Sequence, residues 1–266
     1  MPRGRDRSEG RAAAGRGARI AAWLLVALMP LATPAGAGGD DDVAIVAAGF
    51  GDPTTRYDHA ILGDDIEWGA LRLRTADGRR LLVRLPTSRV FEDTAPRLAD
   101  VDGDGAAEVI VVETDLSLGA SLAVYDAGGL VARTPFIGRP HRWLAPVGAA
   151  DLDGDGRVEI AYVDRPHLLR RLRVVRLAGG RLHEIAAIDG VTNHRIGDRD
   201  ISGGVRDCGT GPEMVLLDPG WRRILVARLR PAGGEGAGTS AGIVLVDAGP
   251  NAPGRLAAVM ACREAR

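Results

Sequence analysis

The sequence predicts an all-β fold assembled from repeated strand–loop–strand units. Three observations carry this expectation. A nine-residue loop, Asp-x-Asp-Gly-Asp-Gly-x-x-Glu, spans 100–108 and returns at 151–159, a period of 51 residues. Each copy leads into a short apolar run, Glu-Val-Ile-Val-Val-Glu at 108–113 and Glu-Ile-Ala-Tyr-Val-Asp at 159–164. Such β-branched runs read as buried strands. The 37 glycines among 266 residues suit a chain with many tight turns.

Each loop carries four carboxylates, which repel one another unless a hard cation gathers them. Asp100, Asp102 and Asp104 alternate, as do Asp151, Asp153 and Asp155. They supply side-chain oxygens, glycine at the sixth position allows a sharp turn, and the seventh residue offers its carbonyl. Glu108 and Glu159 close the two sets. This chemistry is that of calcium. An EF-hand would need a glutamate at its twelfth position and a helix on each side. Val111 and Tyr162 stand there instead.

With its flanks, the first unit reads Pro-x-Leu-Ala-Asp-Val-Asp-Gly-Asp-Gly-x-x-Glu-Val-Ile-Val-Val. It resembles the FG-GAP or VCBS repeat, whose copies form blades of β-propellers in integrin α-subunits and in exported bacterial proteins. The resemblance implies calcium between the first two strands of a blade. The implied ligands are Asp100, Asp102, Asp104, the Ala106 carbonyl and Glu108, then Asp151, Asp153, Asp155, the Arg157 carbonyl and Glu159.

A damaged third copy is expected at Ile196–Gly203, with Asp198, Asp200 and Gly203 in register and Arg206 where the glutamate belongs. Arg206 would replace the ion by pairing with Asp198 and Asp200. The competing reading folds Glu213 back to complete a looser site. Upstream, Tyr57–Asp64 reads as a weak blade opening. Trp68–Arg74 and Leu81–Leu85 read as a hairpin around an Asp77-Gly78 turn.

The first 37 residues differ from the rest. Six arginines against Asp6 and Glu9 give +4 over residues 1–19, followed by an uncharged apolar run and Ala35-Gly36-Ala37. This is the grammar of a secretory signal peptide cleaved before Gly38. The expected mature domain is 38–266, with no later membrane span. Since the whole chain carries −1, residues 38–266 carry −5. A mildly acidic surface argues against nucleic acid. There is no lysine, which excludes Schiff-base chemistry. Cys208 and Cys262 fall in the exported part and suggest a disulfide.

A period near 50 gives four to five units in 38–266. The expected architecture is a propeller of about five blades, its ring closed by Val43–Ala48 and a final strand, Leu256–Cys262, sharing one blade. A β-sandwich is the alternative, and an open solenoid ranks third. The expected function is that of a monomeric, periplasmic or secreted binding or scaffold module for a protein or glycan, stabilised by calcium. The alternative is a hydrolase or lyase built on the central channel, with His59, Asp64, His141, His194 and Asp198 as candidates. No Gly-x-Ser-x-Gly or His-Glu-x-x-His motif supports that alternative.

Overall fold

Sixteen strands and one short helix make up the described part of the chain, residues 43–231 and 242–263 of a computed structural model. The protein is all-β, with 51% strand and 3% helix. The expected signal peptide, 1–37, lies outside the described residues. Everything described falls within one compact unit, Gly38–Arg266.

Three antiparallel sheets form, none of them closed. The first has eight strands: β1 (Ile45–Thr54), β2 (Glu67–Thr75), β3 (Arg80–Arg84), β4 (Arg89–Phe91), β5 (Arg97–Ala99), β6 (Glu108–Asp115), β7 (Gly119–Tyr125) and β8 (Leu130–Arg133). It is two groups joined by a stitch. β5 pairs with the first half of β6 while β4 takes the second half, and β4 also meets β2 through Trp68 and Phe91. The second sheet holds β9 (Leu144–Ala150), β10 (Glu159–Asp164), β11 (Arg171–Ala178) and β12 (Arg181–Asp189). The third holds β13 (Gly204–Asp207), β14 (Pro212–Leu217), β15 (Arg223–Arg230) and β16 (Gly242–Pro250). The β2–β3 hairpin turns at Gly78, whose φ of 88° only glycine adopts freely.

The unbroken apolar runs have a simple cause. In β6, Ile110 and Val112 enter one buried cluster while Val109 and Val111 enter another. In β10, Ile160 and Tyr162 face the first of these, and Ala161 and Val163 face a third. In β14, Met214 and Leu216 point to that third cluster, Val215 and Leu217 to a fourth. Alternation of side chains along a strand buries both faces, so no polar residue can interrupt the run. Neighbouring groups meet in sequence order: β9 contacts β5 and β13, and β12 contacts β8 and β16.

Three expectations change. The segment 256–262 is not a strand: Arg255–Met260 is helix α1, whose Val259 packs against β14 and β15. Seven residues of mixed apolar character fit either period, and length alone did not decide. The ends therefore share no sheet among the described residues; β1 pairs β2, and β16 pairs β15. Finally, Tyr57–Asp64 opens no blade and belongs to the β1–β2 connection.

Candidate functional site: two acidic loops and a histidine pocket

The two acidic loops fold alike because their sequences prescribe the same turns. Each joins the first two strands of a group, β5 to β6 and β9 to β10. The Asp100 carboxylate accepts the N–H groups of Gly103 (2.7 Å) and Gly105 (3.0 Å); Asp151 accepts those of Gly154 (2.8 Å) and Gly156 (3.0 Å). The four glycines have φ between 77° and 91°. Glu108 Oε2 accepts the Val101 N–H at 2.8 Å, and Glu159 Oε2 accepts Leu152 at 2.8 Å.

Carboxylate oxygens of Asp100, Asp102 and Glu108 lie within 4.8 Å of one another, as do those of Asp151, Asp153 and Glu159. An all-oxygen donor set gathered this closely fits a hard divalent cation. Asp104 and Asp155 stand at the loop tips, each accepting the N–H two residues on, from Ala106 (2.7 Å) and Arg157 (3.0 Å).

Electrostatics separate the loops. Burial pushes the Glu108 carboxyl up to about 7, and burial also raises Asp102. Glu159 is raised by burial too, opposed by hydrogen bonds from Arg176. Hydrogen bonds from Arg157 hold Asp155 down at about 2. Arg176 was not anticipated from the sequence. It sits opposite Glu159 on β11, and only the strand register could reveal it.

The third loop lies elsewhere than expected. Residues 190–203 connect β12 to β13, and the position equivalent to the acidic loops is 208–211, between β13 and β14. Glu213 starts β14 as Glu108 and Glu159 start β6 and β10. Arg206 pairs with Glu213 (Nη2–Oε1 2.6 Å), not with Asp198 or Asp200. Arg228 donates to the other oxygen of Glu213 at 2.7 Å. The expectation failed because register follows the strands, whereas the Asp-x-Asp spacing at 198–200 is incidental.

At the opposite strand ends, loops from several groups enclose a cavity of about 320 Å³. His59 and Ile61 come from the β1–β2 connection, His141 and Trp143 from β8–β9, His167 and Leu168 from β10–β11, and Ile196 from β12–β13. His59 Nδ1 lies 2.5 Å from the fully buried Glu92, which also accepts from Thr114 Oγ1 at 2.6 Å. His141 Nε2 lies 2.8 Å from Asp58, and the His59 and His141 rings are 5.3 Å apart. His194 Nε2 faces the Asp198 carbonyl at 2.8 Å, so its Nδ1 is the acceptor for His167 Nε2 at 3.1 Å. Burial, then His194, pushes His167 down to about 4.

Of the five expected pocket residues, His59 and His141 line the cavity and His194 backs it through His167. Asp64 caps the Ile66 N–H at 3.0 Å, and Asp198 contributes its carbonyl. His167, missed in the sequence, stands in an otherwise apolar turn whose place in the fold is set by contacts distant along the chain.

The acidic loop, its β-strand flanks and its recurrence agree with one repeat family. Residues 100–162 match the FG-GAP-like repeat family. This FG-GAP-like stretch covers β6 to β9 and both acidic loops up to the middle of β10. No curated protein matches the chain. Among solved structures, the chain is similar to Kluyveromyces lactis Hsv2 with its complete loop 6CD, at 10% identity and a TM-score of 0.37. The match covers 67% of this chain and 55% of that one, so the chain spans just over half the length of that structure.

Glu67 lies near Glu92 and has its own consequence for stability. Burial, with the charge of Glu92 second, pushes its carboxyl from 4.5 up to about 9. The folded state then binds this proton more tightly than the unfolded one. The contribution to stability is complete below about pH 4.5 and is lost as pH rises towards 9, with a steepest slope of about 1.4 kcal/mol per pH unit. Glu67→Gln should flatten that part of the pH–stability curve measured by urea unfolding. An unchanged slope would mean Glu67 titrates as an ordinary carboxyl.

Proposed function

We propose that this protein is an exported, calcium-stabilised β-propeller that binds a protein partner at its pocket-bearing end. The observation that carries this reading is the acidic loop built twice, with matching hydrogen bonds and three converging carboxylates in each copy. Asp100, Asp102, Asp104, the Ala106 carbonyl and Glu108 would hold one ion. Asp151, Asp153, Asp155, the Arg157 carbonyl and Glu159 would hold the other. The order of the groups and their sequential face-to-face contacts support a radial, blade-like arrangement.

Calcium's role would be structural. β9 runs from the pocket end to the acidic loop over seven residues, which places the ions on the order of 20 Å from the cavity. There they neutralise the carboxylates and tie the first strand of a group to the second. The signal-like segment 1–37 and the disulfide support export; no helix among the described residues is long and apolar enough to cross a membrane.

A protein is favoured over a glycan by the cavity's rim. Ile196 and Leu168 are 71% and 62% exposed, whereas Trp143, the natural platform for a sugar ring, is buried. Paired aliphatic side chains at a pocket mouth suit an apolar anchor from a partner. A second reading rests on His59 and Glu92: a buried carboxylate orienting one imidazole nitrogen leaves the other to move a proton, as a hydrolase or lyase would need.

Thermal unfolding with 5 mM calcium and with EGTA tests the first part. At a dissociation constant of about 10⁻⁴ M, each site adds about 2 kcal/mol. Asp102→Ala should remove one contribution and Asp153→Ala the other. Identical melting in calcium and EGTA would falsify the calcium reading. For the second part, a photo-crosslinker at position 196 should capture one protein whose purified form binds the wild type and loses at least tenfold affinity for Ile196→Asp. A captured glycan, or unaltered affinity, would refute it.

A further inference from the structure

The second acidic loop contains a cation supplied by the chain itself. The Arg176 guanidinium reaches across from β11 and forks over three of the four loop carboxylates. Nε lies 2.6 Å from Glu159 Oε1, Nη1 3.0 Å from Asp155 Oδ2, and Nη2 3.2 Å from Asp153 Oδ2. Two of these, Asp153 and Glu159, belong to the converging oxygen set. The side chain is only 11% exposed and is held by Glu159, itself fully buried. Arg157 adds a second positive charge, pairing with Asp155 at 2.6 Å.

The first loop has no such group. Among the described residues, no arginine pairs with Asp100, Asp102, Asp104 or Glu108. Val109 faces Tyr125, so the residue next along β7 towards Glu108 is Asp126, where the second sheet has Arg176. Asp126 turns away, accepting the N–H groups of Gly128 (2.7 Å) and Gly129 (2.8 Å). The third sheet goes further. Met214 faces Ala227, which sets Arg228 opposite Glu213, and Arg206 takes the remaining oxygen; the acidic loop itself is gone. The three loops thus have no paired arginine, one bridging arginine beside the tip pair Arg157–Asp155, and two arginines on a lone glutamate.

We propose that Arg176 is a built-in competitor for the ion of the second loop, so that the two loops bind calcium with unequal affinity, 100–108 tightly and 151–159 weakly. This rests on the calcium reading above and deepens it. A guanidinium and an ion cannot share the same carboxylate oxygens. To bind at 151–159, calcium must displace a two-sided hydrogen-bonded fork and leave Arg176 to find another partner. At 100–108 it meets four uncompensated carboxylates. Since calcium affinity follows the net ligand charge and the rigidity of the site, the difference should be at least tenfold.

Isothermal calcium titration of the protein tests this, with lanthanide luminescence from added terbium as a second readout. The wild type should show two sites at least tenfold apart. Asp102→Asn should remove the tighter and Asp153→Asn the weaker. Arg176→Met, which keeps the aliphatic stem, should strengthen the weaker site about tenfold and leave the tighter one in place. Two equal sites, or a weak site unmoved by Arg176→Met, would overturn the inference while leaving the calcium reading intact. Absence of binding at both loops would overturn both. Should Arg176→Met fold poorly, the affinities left in Asp102→Asn and Asp153→Asn still decide: equal values overturn the inference.

Discussion

Replacing Arg206 by alanine should cost about 3–5 kcal/mol, a large share of the stability of a domain this size. Arg206 is 5% exposed and Glu213 3%, and two guanidinium nitrogens reach Glu213 Oε1 at 2.9 and 2.6 Å. A third nitrogen donates to the Val259 carbonyl and so ties helix α1 to β13. Deleting the arginine leaves a buried carboxylate with only the half-exposed Arg228, and leaves the Val259 carbonyl with the Cys262 N–H alone. The penalty comes chiefly from the group left behind. Urea unfolding of Arg206→Ala beside the double variant Arg206→Met/Glu213→Gln checks the assignment. The double variant removes the charge with its partner and should recover more than half of the loss. Equal destabilisation of the two would show that packing, rather than charge, is what Arg206 supplies.

Opening the disulfide should cost about as much. Cys208, in the β13–β14 loop, is bonded to Cys262, just beyond α1, across 54 residues. Closing a ring of that size restricts the unfolded chain by about 4 kcal/mol in the chain-entropy model. Cys208→Ser/Cys262→Ser should therefore unfold at markedly lower urea, and the wild type with reductant should behave likewise. A loss below about 1 kcal/mol would mean that the arginine network and Val259 already fix the helix.

The parts of this molecule legible in its sequence are those written locally. The acidic loops, their strands and the Asp77-Gly78 hairpin are each written in one short continuous stretch of sequence, and all are found. The cysteine pair was legible by counting. What escaped depends on register. Arg176 and Arg228 matter because they face Glu159 and Glu213 across a strand pair, and a shift of one residue would point them to the other face. The displaced third loop is the same lesson in reverse, since Asp198 and Asp200 have the spacing but lie in the β12–β13 connection, at the opposite strand ends from the two acidic loops. β4, three residues long, has no periodicity to read. The histidine pocket is assembled by four connections far apart in sequence, and nothing local marks His167 as belonging with His59.

The burial of β6, β10 and β14 on both faces has an implication for how the chain can be divided. Three of the four apolar clusters are shared between neighbouring groups, and the fourth is closed by helix α1 against the third sheet, so no group owns a complete interior. The segment 100–162, a sequence unit by its motif, is not a folding unit: cut free, it would expose Val109 and Val111 on one side and Ala161 on the other. Stability in such a stack behaves as a chain of couplings between adjacent members, each worth little without the next. Inheritance by duplication of the motif and autonomy of the fold are therefore separate properties here, and domain boundaries drawn from the repeat would pass through the middle of its hydrophobic interior.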